Sequence, residues 1–115
     1  MRKLAACVAL LSLTSCGYLQ EQRLLRSLPA MEQVAKTAPP WDGKEHHQKV
    51  GELEFQDIWR DGDRVYFREG EAVVGVDPFG YVWSPKSIPT DGPNRGIYSF
   101  FEHIQGSWYH WSDSY

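Results

Sequence analysis

The chain has 115 residues, with 12 Lys and Arg against 15 Asp and Glu for a net charge of −3, and two cysteines. That length fits one domain plus a tether. The acidic balance argues against nucleic acid as a partner, because a phosphate backbone is bound by clustered Lys and Arg.

The N-terminus opens on Met1-Arg2-Lys3, followed by ten uncharged residues, 4–13. As a helix at ~1.5 Å per residue these reach ~15 Å, about half of a ~30 Å hydrocarbon core. They are too short to span a bilayer and have the proportions of a secretory h-region. The alternative is a buried N-terminal helix of the mature fold.

The run ends Leu13-Thr14-Ser15-Cys16. An aliphatic residue, two small residues and a cysteine directly after an h-region resemble the lipobox of bacterial lipoproteins, a resemblance that covers residues 1–17. It implies that residues 1–15 are a signal peptide, that the Cys16 thiol takes a diacylglycerol thioether, and that Cys16, usually N-acylated as well, becomes the mature N-terminus. The other possibility is ordinary signal cleavage nearby, leaving a free thiol. Cysteine usage favours lipidation: Cys7 would leave with the signal, so Cys16 would have no disulfide partner, an anomaly for an exported chain that lipidation removes. Two or more acyl chains anchor stably at roughly 0.8 kcal/mol per buried methylene. The resemblance further implies a bacterial envelope address. Gly17, where an Asp commonly retains such proteins in the inner membrane, favours an outer membrane facing the periplasm in a Gram-negative host. Loss of Arg2 and Lys3 from the −3 chain would leave −5 on the remaining 100 residues, so the lipid rather than surface charge must hold the membrane.

Residues 16–48 read as a lipidated tether. Leu24, Leu28 and Met31 follow an i, i+4, i+7 spacing, which predicts either a partly ordered tether or an amphipathic helix that packs on the domain or a partner. Pro29 predicts a kink or two short helices. Residues 37–47, TAPPWDGKEHH, form a linker with extended backbone before Pro39-Pro40 and a turn at Asp42-Gly43. Trp41 is expected to fold back onto the domain or to offer a contact surface.

From Lys49 the hydrophobic period becomes two, and residues 49–115 are expected to form a mainly β domain. Leu53, Phe55 and Trp59 fall on one face. Asp61-Gly62 marks a hairpin turn, and Val65 and Phe67 alternate with Arg64, Tyr66 and Arg68. Glu69-Gly70-Glu71 reads as a second turn, residues 72–76 as a central strand, and Asp77-Pro78-Phe79-Gly80 as a type I turn. A strand at 81–84, a loop at 85–96 and a last hairpin through Gln105-Gly106 complete the chain. The expectation is a small antiparallel meander of five or six strands, a curled sheet or open barrel, preceded by the helical tether. Such a domain is marginal without disulfides. Its answer is aromatic: fourteen of the residues from Phe55 onward are Phe, Trp or Tyr, each able to bury ~150–250 Å².

Few residues suggest chemistry. Adjacent His46 and His47 point opposite ways on an extended chain, and no cysteine cluster or HExxH spacing supports a metal. Glu102-His103 and His110 with Asp113 could mimic an acid–base pair, but no nucleophile elbow surrounds Ser99, Ser107 or Ser112. The expectation is a non-catalytic domain with no cofactor. The candidate binding surface is aromatic: Tyr81 and Trp83 on one strand, Trp108, Tyr109 and Trp111 on the last. Either one aromatic face enters the core and the other meets a glycan or an envelope protein, or both faces are buried, one by the sheet and the other by the N-terminal helix or the 85–96 loop. A second functional expectation is an inhibitor or immunity-type lipoprotein that inserts the 85–96 loop into an envelope enzyme.

Overall fold

A computed structural model describes residues 2–71, 78–94 and 96–114. One helix, α1 (Arg2–Lys36), precedes eight strands: β1 (Gln48–Val50), β2 (Leu53–Phe55), β3 (Asp57–Asp61), β4 (Arg64–Glu71), β5 (Pro78–Trp83), β6 (Gly92–Asn94), β7 (Ile97–Gln105) and β8 (Trp108–Ser114). β1 and β2 form a separate hairpin. The other six form one open antiparallel sheet in the order β3-β4-β5-β8-β7-β6. The mainly β reading therefore holds, with one refinement: two sequential three-stranded units are joined through β5 and β8, because the 84–91 segment carries the chain to the far edge before β6.

The helix confirms the apolar spacing. Leu24, Leu28, Met31 and Ala35 are buried, and they share one core with Val50, Leu53, Phe55, Ile58, Val65, Phe67, Tyr81 and Trp108. Residues 24–35 are thus an amphipathic helix packed on the domain rather than a loose tether. Pro29 interrupts nothing: α1 runs through it. Its missing N–H removes one bond to the Leu25 carbonyl, a loss tolerated here because Pro29 sits on the exposed side, where water can satisfy the freed group.

Helix and hairpin meet at a point that only glycine permits. Gly51 turns β1 into β2 at φ +61°, and a Cβ there would stand 2.7 Å from the Ser27 side chain. Ser27 is fully buried. Its hydroxyl donates to the Arg23 carbonyl at 2.7 Å and accepts the Glu52 backbone N–H at 2.8 Å. Beside it, Arg26 donates through Nε and Nη2 to the Glu52 carboxylate at 2.5 and 3.0 Å. These bonds hold the Glu52 carboxyl below its ordinary 4.5. A carboxylate depressed by folding contributes stability above its unfolded value, and that contribution is lost as pH falls through the folded one. Glu52→Gln should therefore melt below the natural protein at neutral pH, and the gap should close as pH drops below 4.5. The pair is exposed, so salt should also narrow the gap. Thermal melts of both proteins across pH check this; a gap that persists in acid contradicts the pairing.

Arg60 locks the other end of α1. Its guanidinium donates to the Ala35 carbonyl at 2.7 Å and the Ala38 carbonyl at 3.2 Å, meeting the orphan acceptors and negative pole of a helix C-terminus. Its backbone N–H bonds the Pro39 carbonyl at 2.8 Å, and Pro40 bridges Arg60 in parallel. The linker thus lies along the β3 edge. At the opposite edge, β6 is three residues long and contains Pro93, and the Asp91 carboxylate accepts the Phe101 N–H at 2.7 Å.

Three local expectations are corrected. The period-two run does not keep Leu53, Phe55 and Trp59 on one face. A break at Gln56, whose N–H bonds the Arg68 carbonyl, lets Ile58 take the core side and puts Trp59 on the other. Glu69-Gly70-Glu71 is not a turn; β4 continues through it, with a bulge between Arg68 and Gly70. Pro78, Phe79 and Gly80 form the start of β5 rather than a turn. The expected strand at 72–76 lies outside the described residues. The hairpins at Gly62 and Gly106 are present, with φ of 61° and 55°.

Candidate functional site

The aromatic surface expected from Tyr81, Trp83, Trp108, Tyr109 and Trp111 is core instead. Tyr81, Trp108, Tyr109 and Trp111 are between 4% and 8% exposed, and Trp83 packs partly buried against the first core. The cause is that the helix and the β1–β2 hairpin cover one sheet face, while on the other the sheet's own aromatic side chains pack against one another. On the helix side, Trp108 meets Phe67 edge-to-face at 5.3 Å, and Phe55 meets Phe67 and Tyr81 at 5.2 and 6.2 Å. Burial, then the neighbouring Glu69 carboxylate, pushes the Tyr81 hydroxyl up, so it stays protonated. On the far side, Val82, Tyr109 and Trp111 form a second core flanked by Trp59, Tyr66 and Phe101 of the neighbouring strands.

The histidines do not assemble a catalytic set. His103 Nε2 bonds the Gly106 carbonyl at 3.0 Å. His110 lies against the Tyr81 ring and 3.9 Å from Glu21. Asp113 serves Ser99 Oγ at 2.7 Å and Trp111 Nε1 at 2.8 Å, not His110. His46 and His47 are exposed and contact Asp42 and Glu45. No group of three His, Cys, Asp or Glu among the described residues could hold a metal ion, and no helix among them is long and apolar enough to cross a membrane.

Among the aromatic side chains that do reach solvent, with Tyr18, Tyr98 and Phe100, is Trp41, which is 63% exposed rather than packed back on the domain. It forms one wall of a groove of about 570 Å³ at the β3 edge, which Trp59 and Trp111 also line. Trp59 stacks on Tyr66 at 5.5 Å and meets Trp111 edge-on at 5.9 Å, so the inner wall is a fixed aromatic surface. Around it stand Lys44, Arg60 and Arg68 with Glu45, Asp57, Asp61 and Asp113. Most of these charges are engaged. Arg68 pairs with Glu45, and that bond holds the Glu45 carboxyl low. Asp57 is 3% exposed and accepts the Ile58 N–H at 2.9 Å. Sequence reading missed this groove because Trp59 falls on the unexpected face and Arg60 lies some twenty residues from the carbonyls it binds. The one available signal was Trp41 itself, placed between a Pro-Pro pair and an Asp-Gly turn.

No family model, curated protein or solved structure matches this chain.

Proposed function

We infer that this chain is a lipid-anchored protein of the bacterial cell envelope whose β domain binds a partner and performs no catalysis. The observation that carries the reading is Leu13-Thr14-Ser15-Cys16 closing an uncharged run behind two basic residues. A lipid on Cys16 would sit on the same α1 whose later turns enter the domain core, so the anchor would hold the domain rigidly instead of trailing it on a flexible leash. Gly17 favours the outer membrane, with the domain in the periplasm.

In a Gram-negative host the natural chain should fractionate with membranes, and its intact mass should correspond to residues 16–115 plus two or three acyl chains. Cys16→Ser should be soluble or uncleaved. A processed chain without fatty acid, or a Cys16→Ser protein that is processed and still membrane-bound, overturns the reading.

One observation favours a second reading, an inhibitor of an envelope enzyme. Ile88 is 77% exposed on a loop fixed beneath it by Ser84, whose hydroxyl bonds the Ser87 carbonyl at 2.6 Å and whose N–H bonds the Ser107 carbonyl at 2.9 Å. A preformed loop with an apolar tip is the shape that enters a partner's cleft at low ordering cost.

A further inference from the structure

We propose that the groove between Trp41 and the β3 edge is a binding site for a neutral oligosaccharide, with Trp41 as its stacking platform; this rests on the reading of the domain as a binding module. Three properties of the groove carry the assignment.

The first is presentation. An indole left 63% exposed on a small domain gives up apolar burial that a marginal core could use. Trp41 is nevertheless not on a loose segment. Pro39 and Pro40 restrict the backbone before it, and both are tied to Arg60. The ring is therefore offered with little ordering left to do when a ligand arrives. The second is size and lining. About 570 Å³ falls within the ~300–1,000 Å³ of small-molecule sites and can admit a few sugar rings. Trp59 continues the aromatic surface inward, with Trp111, only 5% exposed, behind it as the floor. The face of a pyranose carries several C–H bonds of slight positive charge, and these pack on the negative face of an indole.

The third is charge. The lining holds three cationic and four anionic side chains, and most of them are engaged by protein groups. Arg68 faces Glu45, Arg60 caps α1, and Asp113 receives Ser99 and Trp111. With no strong surplus of either sign, the groove does not select a phosphate, a sulfate or a polycation. Its carboxylates and guanidinium edges are still acceptors and donors at fixed positions, which suits hydroxyl groups. Aromatic walls with balanced polar edges fit a neutral polyhydroxyl ligand better than an ionic one.

The test uses the full chain purified in detergent and ligand-observed NMR with three neutral trisaccharides, triacetylchitotriose, cellotriose and maltotriose, and one anionic trisaccharide, trigalacturonate. At least one neutral sugar should bind saturably at about 1 mM or tighter. Trp41→Ala should weaken that binding about tenfold or more, and Trp41→Phe, which keeps a ring face, should stay within about threefold. Melting curves show whether each variant is folded; since Trp41 is outside both cores, both should be. Absence of saturable binding by every neutral sugar up to about 10 mM overturns the site, as does undiminished binding by folded Trp41→Ala or tighter binding of trigalacturonate. Because the assay needs no membrane, sugar binding by a chain lacking fatty acid would sink the anchor alone, and a lipidated chain blind to all the sugars would sink the site alone.

Discussion

Gly80→Ala is expected to cost about 3 kcal/mol or more and to lower the melting temperature by more than about 10 °C. The reason is a close approach of two backbones. The bulge between Arg68 and Gly70 carries β4 over β5, and a Cβ on Gly80 would lie 1.9 Å from the Phe67 carbonyl oxygen and 2.9 Å from the Glu69 nitrogen. Neither atom belongs to a side chain that could rotate away. The alanine can enter only if the β4–β5 ladder opens, and that ladder lies next to the β5–β8 pairing that joins the two halves of the sheet. Gly92→Ala is the control, because a Cβ at Gly92 meets nothing within 4 Å. Circular-dichroism melts of the three proteins decide the matter: a Gly80→Ala protein that melts within about 2 °C of the natural one is incompatible with the bulge.

Phe67→Ala should remove about 3–5 kcal/mol from a domain whose total stability is about 5–15 kcal/mol, a large share of it at the lower end of that range. Phe67 is fully buried, and its ring lies edge-to-face against both Phe55 and Trp108. Truncation would open a cavity bordered by the hairpin, the central strands and the helix, none of which can collapse alone. Phe67→Leu, which keeps most of the volume, should cost under about 2 kcal/mol. Urea midpoints at equal slope would separate the two. A loss below about 1 kcal/mol for Phe67→Ala would mean that the aromatic cluster is not what holds the sheet together.

Where local pattern and tertiary packing agree, the sequence was informative. Val65 and Phe67 alternate with Arg64, Tyr66 and Arg68 as a half-buried strand should, and Leu24, Leu28 and Met31 spell a helix face that packing then uses. Turn chemistry misled where the sheet overrode it. Asp-Pro-Phe-Gly has the residues of a type I turn, yet Gly80 is there because β4 crosses it, and Pro78 sits at the first residue of β5, where a strand tolerates proline. The aromatic positions carried a different ambiguity. Alternation correctly separated Trp108 from Tyr109 and Trp111, but period two cannot report whether a face is covered. That depends on the helix, which reaches one side, and on how closely Trp59, Tyr66 and Phe101 of the neighbouring strands pack around Tyr109 and Trp111 on the other. The groove was the least legible feature, since its walls come from the linker, β3 and β8 and meet only in three dimensions.

The two borders of the six-stranded sheet are finished differently but to the same end. Pro39 and Pro40 lie along β3, while a short β6 containing Pro93 and the Asp91 carboxylate use up hydrogen-bonding positions beside β7. Such borders offer little template to an incoming chain. Many copies crowded together should therefore resist fibril growth and strand exchange, even though aromatic residues are so abundant in the chain.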